Sequence, residues 1–438
     1  MEIVNIQKTE VTPINNVSSG FSFNGGNPTI VLNLSKTDGL LDLTSLRLNG
    51  TLEIRGTSAN TTVPPNNNNI KGGGVINVEV DQYTGLGALI KQITLSKSDG
   101  QEIETIRNYN QMLKVLAVAH SEGDYNTFLQ QKYNVSPYNK VMATSLNQDQ
   151  DISLELLTGL LSMTKSYPLN AMDLQLTIEL ANDTNVFFGT NAVSDSSKYT
   201  LKDVSLSYNV MMPNAEGMLM LQKDVSGDFS YNSLSSIYSI INSSDSTNDF
   251  QLSASRVRSV FSFLLPTSRI NNYGNNSLGM TMPKNTGNTD AVVEAISFKK
   301  NGVNYPYDEE LNVETESLNT RPQTSLLKEF INSVVLYENL EHSLIRTSNA
   351  ANEPLLNELL DINGLTPATL KHNVSNDTIY GIGVNMDDVT SVGVDFKQSM
   401  YSQRLQSTLD GQIPMSVYTN VVNRNVITYD MNSVVVNN

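Results

Sequence analysis

The stretch SYPLNAMDLQLTIEL, residues 166–180, decides the fold of this chain. From residue 172 onward every second position is apolar, and polar residues fill the gaps. A repeat of two places alternate side chains on opposite faces of a pleated strand. The pattern therefore predicts a strand with one dry face, formed by Met172, Leu174, Leu176, Ile178 and Leu180.

Alternating segments of the same kind recur along the chain, and turn-rich runs such as TVPPNNNNIKGGG (residues 62–74) separate them. Short strands joined by turns, without a helix between each pair, are typical of sandwiches and barrels. The sequence therefore predicts an all-β protein. The predicted strands lie in residues 28–35, 46–54, 75–80, 91–97, 203–210, 257–266, 294–302, 379–386, 391–396 and 415–422.

The composition agrees with strands and polar loops. The chain has 438 residues, of which 16% are charged, against about 25% in an average soluble domain. The net charge is −16 and there is no basic stripe, so we expect no direct, sequence-specific contact with nucleic acid. Cysteine is absent, which excludes disulfides and thiolate metal sites. We also expect no secretory signal and no membrane span.

Two segments have helical spacing, residues 101–120 and 324–346. In the first, the predicted apolar stripe is Ile103, Ile106, Tyr109, Leu113 and Leu116. Each segment follows a strand that ends in Lys and a Gly turn, and the two copies lie about 200 residues apart. This order predicts an internal duplication with one amphipathic helix in each half. We expect Leu113, Leu116, Val334 and Leu340 to be buried.

No catalytic, cofactor-binding or metal-binding residue is predicted, and the chain is not expected to be an enzyme. The three histidines, His120, His342 and His372, are isolated, and no HExxH or nucleophile elbow is present. The glycines at 85–87 and 381–383 lack the spacing of a dinucleotide site. The acidic residues at 308–310 and 387–388 are expected to lie in solvated loops, and no cofactor is expected.

At this point the pattern resembles a known family. The segments 93–113, 166–183, 257–266 and 326–344 carry a resemblance to the double jelly-roll major capsid proteins of tailless icosahedral DNA viruses, such as adenovirus hexon, the tectivirus coat protein and the capsid proteins of giant viruses, virophages and polinton-like viruses. In that group a Pro-Leu pair, here Pro168-Leu169, commonly precedes the last strand of the first jelly roll. The loops are too short for hexon-like towers.

The resemblance implies two consecutive eight-stranded jelly-roll sandwiches, each with one amphipathic helix. The expected divisions are an N-terminal arm at 1–25, a first jelly roll at 26–190, a linker at 191–200 and a second jelly roll at 201–438. Residues 1–25 fit no strand pattern. They are expected to reach under a neighbouring trimer or towards an internal membrane, or to stay disordered until assembly.

The function that the resemblance implies is structural. Homotrimers are expected to form pseudo-hexameric capsomers that tile an icosahedral virion shell around viral DNA. The expected partners are other copies of the chain and penton, minor capsid or cement proteins, and the expected location is the virion, after synthesis in a host cell. The alternative is a receptor- or carbohydrate-binding β-sandwich, such as a spike or adhesin. A glycoside hydrolase is disfavoured because Trp, which commonly lines sugar clefts, is absent.

Overall fold

In the computed structural model, the described residues contain nineteen strands in four antiparallel sheets. The structure describes residues 3–55, 81, 84–119, 150–163, 166–169, 171–187, 198–223, 227–241, 245–252, 254–272, 277–278, 293–306, 311–312, 329–330, 332–334, 381–387, 393–407, 414–429 and 434–437.

The first sandwich is built from nine of these strands. One sheet has the order β1-β9-β3-β6, with β7 beside β3, and the other has the order β2-β8-β4-β5. The strands are β1 (Ile3–Val11), β2 (Thr29–Leu34), β3 (Leu40–Arg55), β4 (Ile90–Ser96), β5 (Glu102–Ile106), β6 (Gln150–Glu155), β7 (Ser166–Pro168), β8 (Leu174–Leu180) and β9 (Lys198–Pro213).

The second sandwich contains the other ten. One sheet has the order β10-β18-β12-β16, with β19 beside β18, and the other has the order β11-β17-β13-β14, with β15 beside β13. The strands are β10 (Gly227–Ile241), β11 (Asp245–Gln251), β12 (Val257–Pro266), β13 (Val293–Lys300), β14 (Val303–Asn304), β15 (Leu311–Asn312), β16 (Gly381–Asn385), β17 (Met400–Ser407), β18 (Met415–Tyr429) and β19 (Val434–Asn437).

Helical structure is sparse and lies between strands. The helices are α1 (Tyr109–Ala119), α2 (Asp183–Val186) and α3 (Ala215–Lys223), with 3-10 turns at Gly85–Leu89 and Thr267–Arg269. Residues 329–330 and 332–334 are also helical. Phe330 and Val334 in that segment are buried and belong to the same core cluster as Phe261 of β12 and Val422 of β18.

The strand predicted from the opening stretch is confirmed as β8. It lies between β2 and β4 and begins at Leu174, two residues later than predicted. The four predicted dry-face side chains within it and Met172, which precedes it, are at most 1% exposed. They pack in one cluster with residues of the opposing sheet, such as Leu48 and Leu206. Burial of each such side chain contributes about 1.5–3 kcal/mol before entropy is subtracted.

The apolar core continues from the first sandwich into the second. Phe261, Phe263 and Val422 of the β10-β18-β12-β16 sheet belong to the same buried cluster as the core of the first sandwich. The other face of that sheet packs on a second cluster, which contains Val260 and Val417. Both faces of this sheet are therefore covered, and every residue of β18 from 415 to 423 is buried.

Three of the expected divisions differ from the structure. The arm predicted at 1–25 contains β1, which pairs along its length with β9. The predicted linker at 191–200 and the predicted start of the second jelly roll at 201 both overlap β9, which lies between β1 and β3 in the first sandwich. The reason is that strand pairing over about 200 residues is set by the sheet and leaves no mark in local spacing.

The first predicted helix begins later than expected. Residues 102–106 form strand β5, so Ile103 and Ile106 belong to a sheet and the helix begins at Tyr109. The predicted burial of Leu113, Leu116 and Val334 is confirmed, since each is 0% exposed. The predictions for Leu340 and for the strand at 75–80 lie outside the described residues.

Candidate functional site: the junction between the sandwiches

The best-defined polar constellation in the described residues joins the two sandwiches. Its centre is Glu104 on β5, an edge strand, and this side chain is 3% exposed. One carboxylate oxygen, Oε1, accepts from the backbone N–H groups of Gly159 and Leu234, each at 3.1 Å. The other oxygen, Oε2, accepts from the N–H of Leu160 at 3.1 Å. Because Leu234 lies on β10, one carboxylate bonds to both sandwiches.

The backbones approach each other closely beside Glu104. A Cβ on Gly159 would lie 1.5 Å from the carbonyl oxygen of Asn232 on β10, so only glycine fits at this position. Nearby, the hydroxyl of Tyr231 donates to the carbonyl oxygen of Ile103 at 2.8 Å. These contacts fix the position of β5 relative to β10.

Aromatic packing extends the junction. Tyr167 and Phe229 meet edge to face, with ring centroids 6.1 Å apart. Tyr167 lies in β7, which pairs with β3, and Phe229 begins the buried part of β10, so the pair again joins the two sandwiches. Edge-to-face pairs contribute about 0.5–1.5 kcal/mol beyond their area.

A second polar contact lies at the end of β8. Asn182 caps α2 by accepting from the N–H of Thr184 at 3.3 Å. Asn185 in α2 then accepts from the backbone N–H of Asn271 at 2.8 Å, and its own carbonyl accepts from the hydroxyl of Ser277 at 2.7 Å. Residues 271 and 277 follow β12, so this contact also links the sandwiches.

Burial changes the acidity of the junction groups. Desolvation raises the pKa of Glu104 to about 7 from 4.5, even though the three N–H donors favour the charged form. Desolvation also raises the pKa of Tyr231 and of Tyr167 above the ordinary value. A buried carboxylate that titrates near neutral pH makes the junction sensitive to pH.

The histidines, acidic residues and glycines considered as candidate site residues lie away from the junction or outside the described residues. The three histidines, the acidic residues at 308–310 and Asp388 are outside the described residues. Asp387 accepts from Arg258 Nε at 2.8 Å, which is a pairing within the second sandwich. The glycines at 85–87 form a buried 3-10 turn, and those at 381 and 383 lie in β16. Within the described ranges, no three His, Cys, Asp or Glu side chains are grouped to hold a metal ion.

Sequence reasoning did not find Glu104. The available signal was a charged residue between two apolar ones, Ile103 and Ile106, in a segment with helical spacing. In a helix, position 104 would lie on the side opposite the apolar stripe. In the observed strand β5, the side chain of Glu104 is buried at the junction.

The exposed apolar residues form a second feature. Five of them, Ile3, Val4, Ile6, Ile14 and Val17, lie near the N-terminus, and Leu219 lies on α3. Ile3 pairs with Pro213, which lies two residues before the start of α3, so this end of the sheet carries an apolar surface. Of the helices that the structure describes, none has both the length and the apolar character to cross a membrane.

Neither a protein-family model nor a curated protein matches the sequence. Solved structures match over the whole chain. PBCV-1 VP54, fitted into a cryo-EM reconstruction of the virophage Sputnik, matches with a TM-score of 0.58 and 11% identity, covering 100% of this chain and 97% of that one. The Faustovirus major capsid protein gives 0.57 and 10%, with 97% and 90% covered.

The mavirus major capsid protein is a third match, with a TM-score of 0.53 and 8% identity, covering 98% of this chain and 90% of that one. All three are double jelly-roll major capsid proteins. At this level of identity the likeness concerns the fold. The chain therefore has the double jelly-roll fold of these capsid proteins, as the sequence predicts.

Proposed function

We propose that this chain is the major capsid protein of a tailless icosahedral DNA virus. The observation that carries the proposal is the extent of the structural likeness. It covers 97–100% of the chain, including both sandwiches. Function is carried by sites rather than by folds in general, so the proposal needs its own test.

The junction supports this role physically. A shell subunit has to transmit load between neighbours, and a continuous apolar core with a buried polar centre at Glu104 makes two sandwiches one stiff block. Interiors packed in this way have low compressibility. We propose that the first unit comprises residues 3–213 and the second residues 227–437, with the apolar core shared between them.

The proposed assembly is a homotrimer. Two sandwiches per chain and three chains give six similar units, so a threefold block fills a sixfold position in a shell. Contacts within the trimer are expected to exceed the roughly 2,000 Å² of obligate interfaces, while contacts between trimers are smaller and more polar. Penton and minor capsid proteins, and a membrane beneath the shell, are proposed as further partners.

The test is the mass and shape of the purified full-length chain. Light scattering is expected to give three times the 48.1 kDa of one chain, and negative-stain electron microscopy is expected to show particles with a pseudo-hexagonal outline. A monomer at micromolar concentration would overturn the capsid proposal and favour a receptor- or carbohydrate-binding sandwich.

A further inference from the structure

Among the described residues, two edge strands carry more than one exposed large apolar side chain, and they belong to different sandwiches. β1 is an edge of its sheet in the first sandwich, and Val4 and Ile6 on it are 67% and 60% exposed. β10 is an edge of its sheet in the second sandwich, and Tyr238 and Ile240 near its end are each 47% exposed. An open apolar edge of this kind is suited to contact with another chain.

The backbone of β10 is also open near its end. β10 pairs with β18 without a bulge, and the N–H of Leu234 points away from β18, towards Glu104. In an antiparallel strand the backbone groups of every second residue point the same way, so those of Ser236 and Tyr238 also point away from the sheet. Outside the pairing of β10 with β18, neither residue has a backbone partner in the described part of the chain. An extended strand matches such a row of donors and acceptors.

The side chains at this edge fit an apolar strand. The ring of Tyr238 lies 5.2 Å from that of Tyr418, which stacks on Phe263 at 5.1 Å, so three rings form a row across the sheet. The row ends at the exposed edge. Ile240 lies two residues further along β10, on the same face as Tyr238. A strand with apolar side chains, placed beside β10, would extend this row and cover Ile240.

Charge favours contact between β1 and the end of β10. The chain has a net charge of −16, so two copies repel each other over much of their surfaces. Residues 3–7 of β1 and residues 229–241 of β10 contain no charged side chain. Like charges that face each other across an interface oppose binding, and a contact between these two segments avoids that repulsion.

The proposed homotrimer needs two different surfaces on each copy. A ring of three is built from heterologous contacts, in which one surface of a copy meets another surface of the next copy. A surface that meets only itself joins copies in pairs. β1 on the first sandwich and the end of β10 on the second provide the two different surfaces.

We propose that β1 of one copy packs along residues 235–241 of the next copy, and that three such contacts close the ring. The first sandwich of each copy then lies beside the second sandwich of its neighbour, so the two kinds of sandwich alternate around the ring. This inference rests on the proposed homotrimer and names the surfaces that form it.

Cross-linking of the full chain tests the inference. The chain has no cysteine, so the variant Ile6→Cys/Ile240→Cys has one thiol on each edge. The cross-linker is a short bismaleimide, added at a concentration where light scattering gives a trimer. We expect covalent dimers and trimers on a denaturing gel, because each contact in the ring joins one position 6 to one position 240. Each single variant should remain monomeric on that gel.

The matched control is Ile6→Cys/Val303→Cys. Val303 is 71% exposed on β14, in the other sheet of the second sandwich, so this variant should also remain monomeric on the gel. If Ile240→Cys prevents trimer formation, Tyr238→Cys takes its place.

The outcomes distinguish this inference from the capsid proposal. A native trimer without cross-links in the double variant, covalent dimers from a single variant, or covalent species larger than a trimer would overturn the inference and leave the capsid proposal standing. A native monomer of the wild type would overturn the capsid proposal, and the inference with it.

Discussion

Oε1 of Glu104 lies 3.1 Å from the backbone nitrogen of Leu234, and this hydrogen bond crosses from the first sandwich to the second. The same oxygen also accepts from Gly159 within the first sandwich. One buried carboxylate therefore fixes a loop and an edge strand of its own sandwich against β10 of the other.

Stability should depend on the protonation of Glu104. Its pKa is about 7 in the folded protein and 4.5 ordinarily, so the folded state holds the proton more tightly than the unfolded state. The contribution to stability is therefore complete below about pH 4.5 and is lost as the pH rises through about 7. The loss is on the order of 3 kcal/mol, because each pKa unit corresponds to about 1.4 kcal/mol.

Urea unfolding between pH 5 and 8 measures this effect. Glu104→Gln should flatten the decline in unfolding free energy across that interval, although it also loses one acceptor for the three N–H groups. Glu179→Gln, on the exposed face of β8, should retain the decline of the wild type. A decline of the same size in Glu104→Gln would show that another group is responsible.

Gly159→Ala should separate β5 from β10. The added Cβ would lie 1.5 Å from the carbonyl oxygen of Asn232, and backbone atoms on both sides cannot give way cheaply. We expect a loss of more than about 3 kcal/mol, similar to severe overpacking of a core. Thermal unfolding followed by circular dichroism measures it.

Gly100→Ala is the matched control. Gly100 has φ +88° but no atom within 4 Å of its added Cβ, so the substitution meets strain of about 1 kcal/mol and no clash. Equal melting temperatures for the two variants would mean that the close contact at Gly159 carries no stability.

The fold follows from local patterns more readily than the junction does. β8 was predictable because one face meets the core and the other meets solvent, which produces strict alternation. β1 gave no such signal because nearly all its residues are exposed on both faces. β18 is buried on both faces, so polar residues such as Asn420 and Asn423 occupy interior positions without a period of two.

The contacts of Glu104 were not predictable for a different reason. They join residues that are 55, 56 and 130 positions apart. Only the pairing of sheets brings these segments together, and spacing along the chain does not record that pairing. The spacing of residues 103–116 added to the error. Apolar residues at 103, 106 and 109 are three apart, as in a helix, but the first two lie in β5 and only the third lies in α1.

Replacing only one partner of the ion pair between Lys114 and Asp81 should lower the free energy of unfolding strongly. Nζ and Oδ2 are 2.6 Å apart, and both side chains are at most 1% exposed. Asp81 also accepts from the N–H of Thr84 at 3.0 Å. Lys114→Met leaves a buried carboxylate without its ammonium, and we expect a loss of about 3–5 kcal/mol. Urea unfolding of the single and double variants measures the coupling.

The double variant Lys114→Met/Asp81→Leu should recover part of this loss, since neither charge is then buried. The remaining difference reports the other contacts of the two side chains, among them the two hydrogen bonds from Thr84 to Asp81. If the double variant is as unstable as the sum of the two singles, the two charges do not interact and the prediction is wrong.

Leu116→Asp should destabilise the first sandwich through an unpaired charge in the core. Leu116 lies in α1 and is 0% exposed, and a buried unpaired carboxylate costs several kcal/mol. Leu219→Asp, at a position that is 59% exposed on α3, makes the same chemical change at the surface. Differential scanning calorimetry should give a much lower melting temperature for the first variant than for the second, and similar values would contradict the prediction.

The exposed edge at β1 should take part in assembly. Val4 and Ile6 are 67% and 60% exposed on an edge strand, and long apolar edges tend to pair with other chains. Val4→Lys/Ile6→Lys should therefore lower the average mass of assemblies in light scattering at fixed ionic strength, with the melting temperature unchanged. Asn5→Lys/Gln7→Lys adds the same charge at neighbouring polar, exposed positions of β1 and controls for electrostatic repulsion. Equal masses for the two double variants would show that charge, and not the apolar surface, governs assembly at this edge.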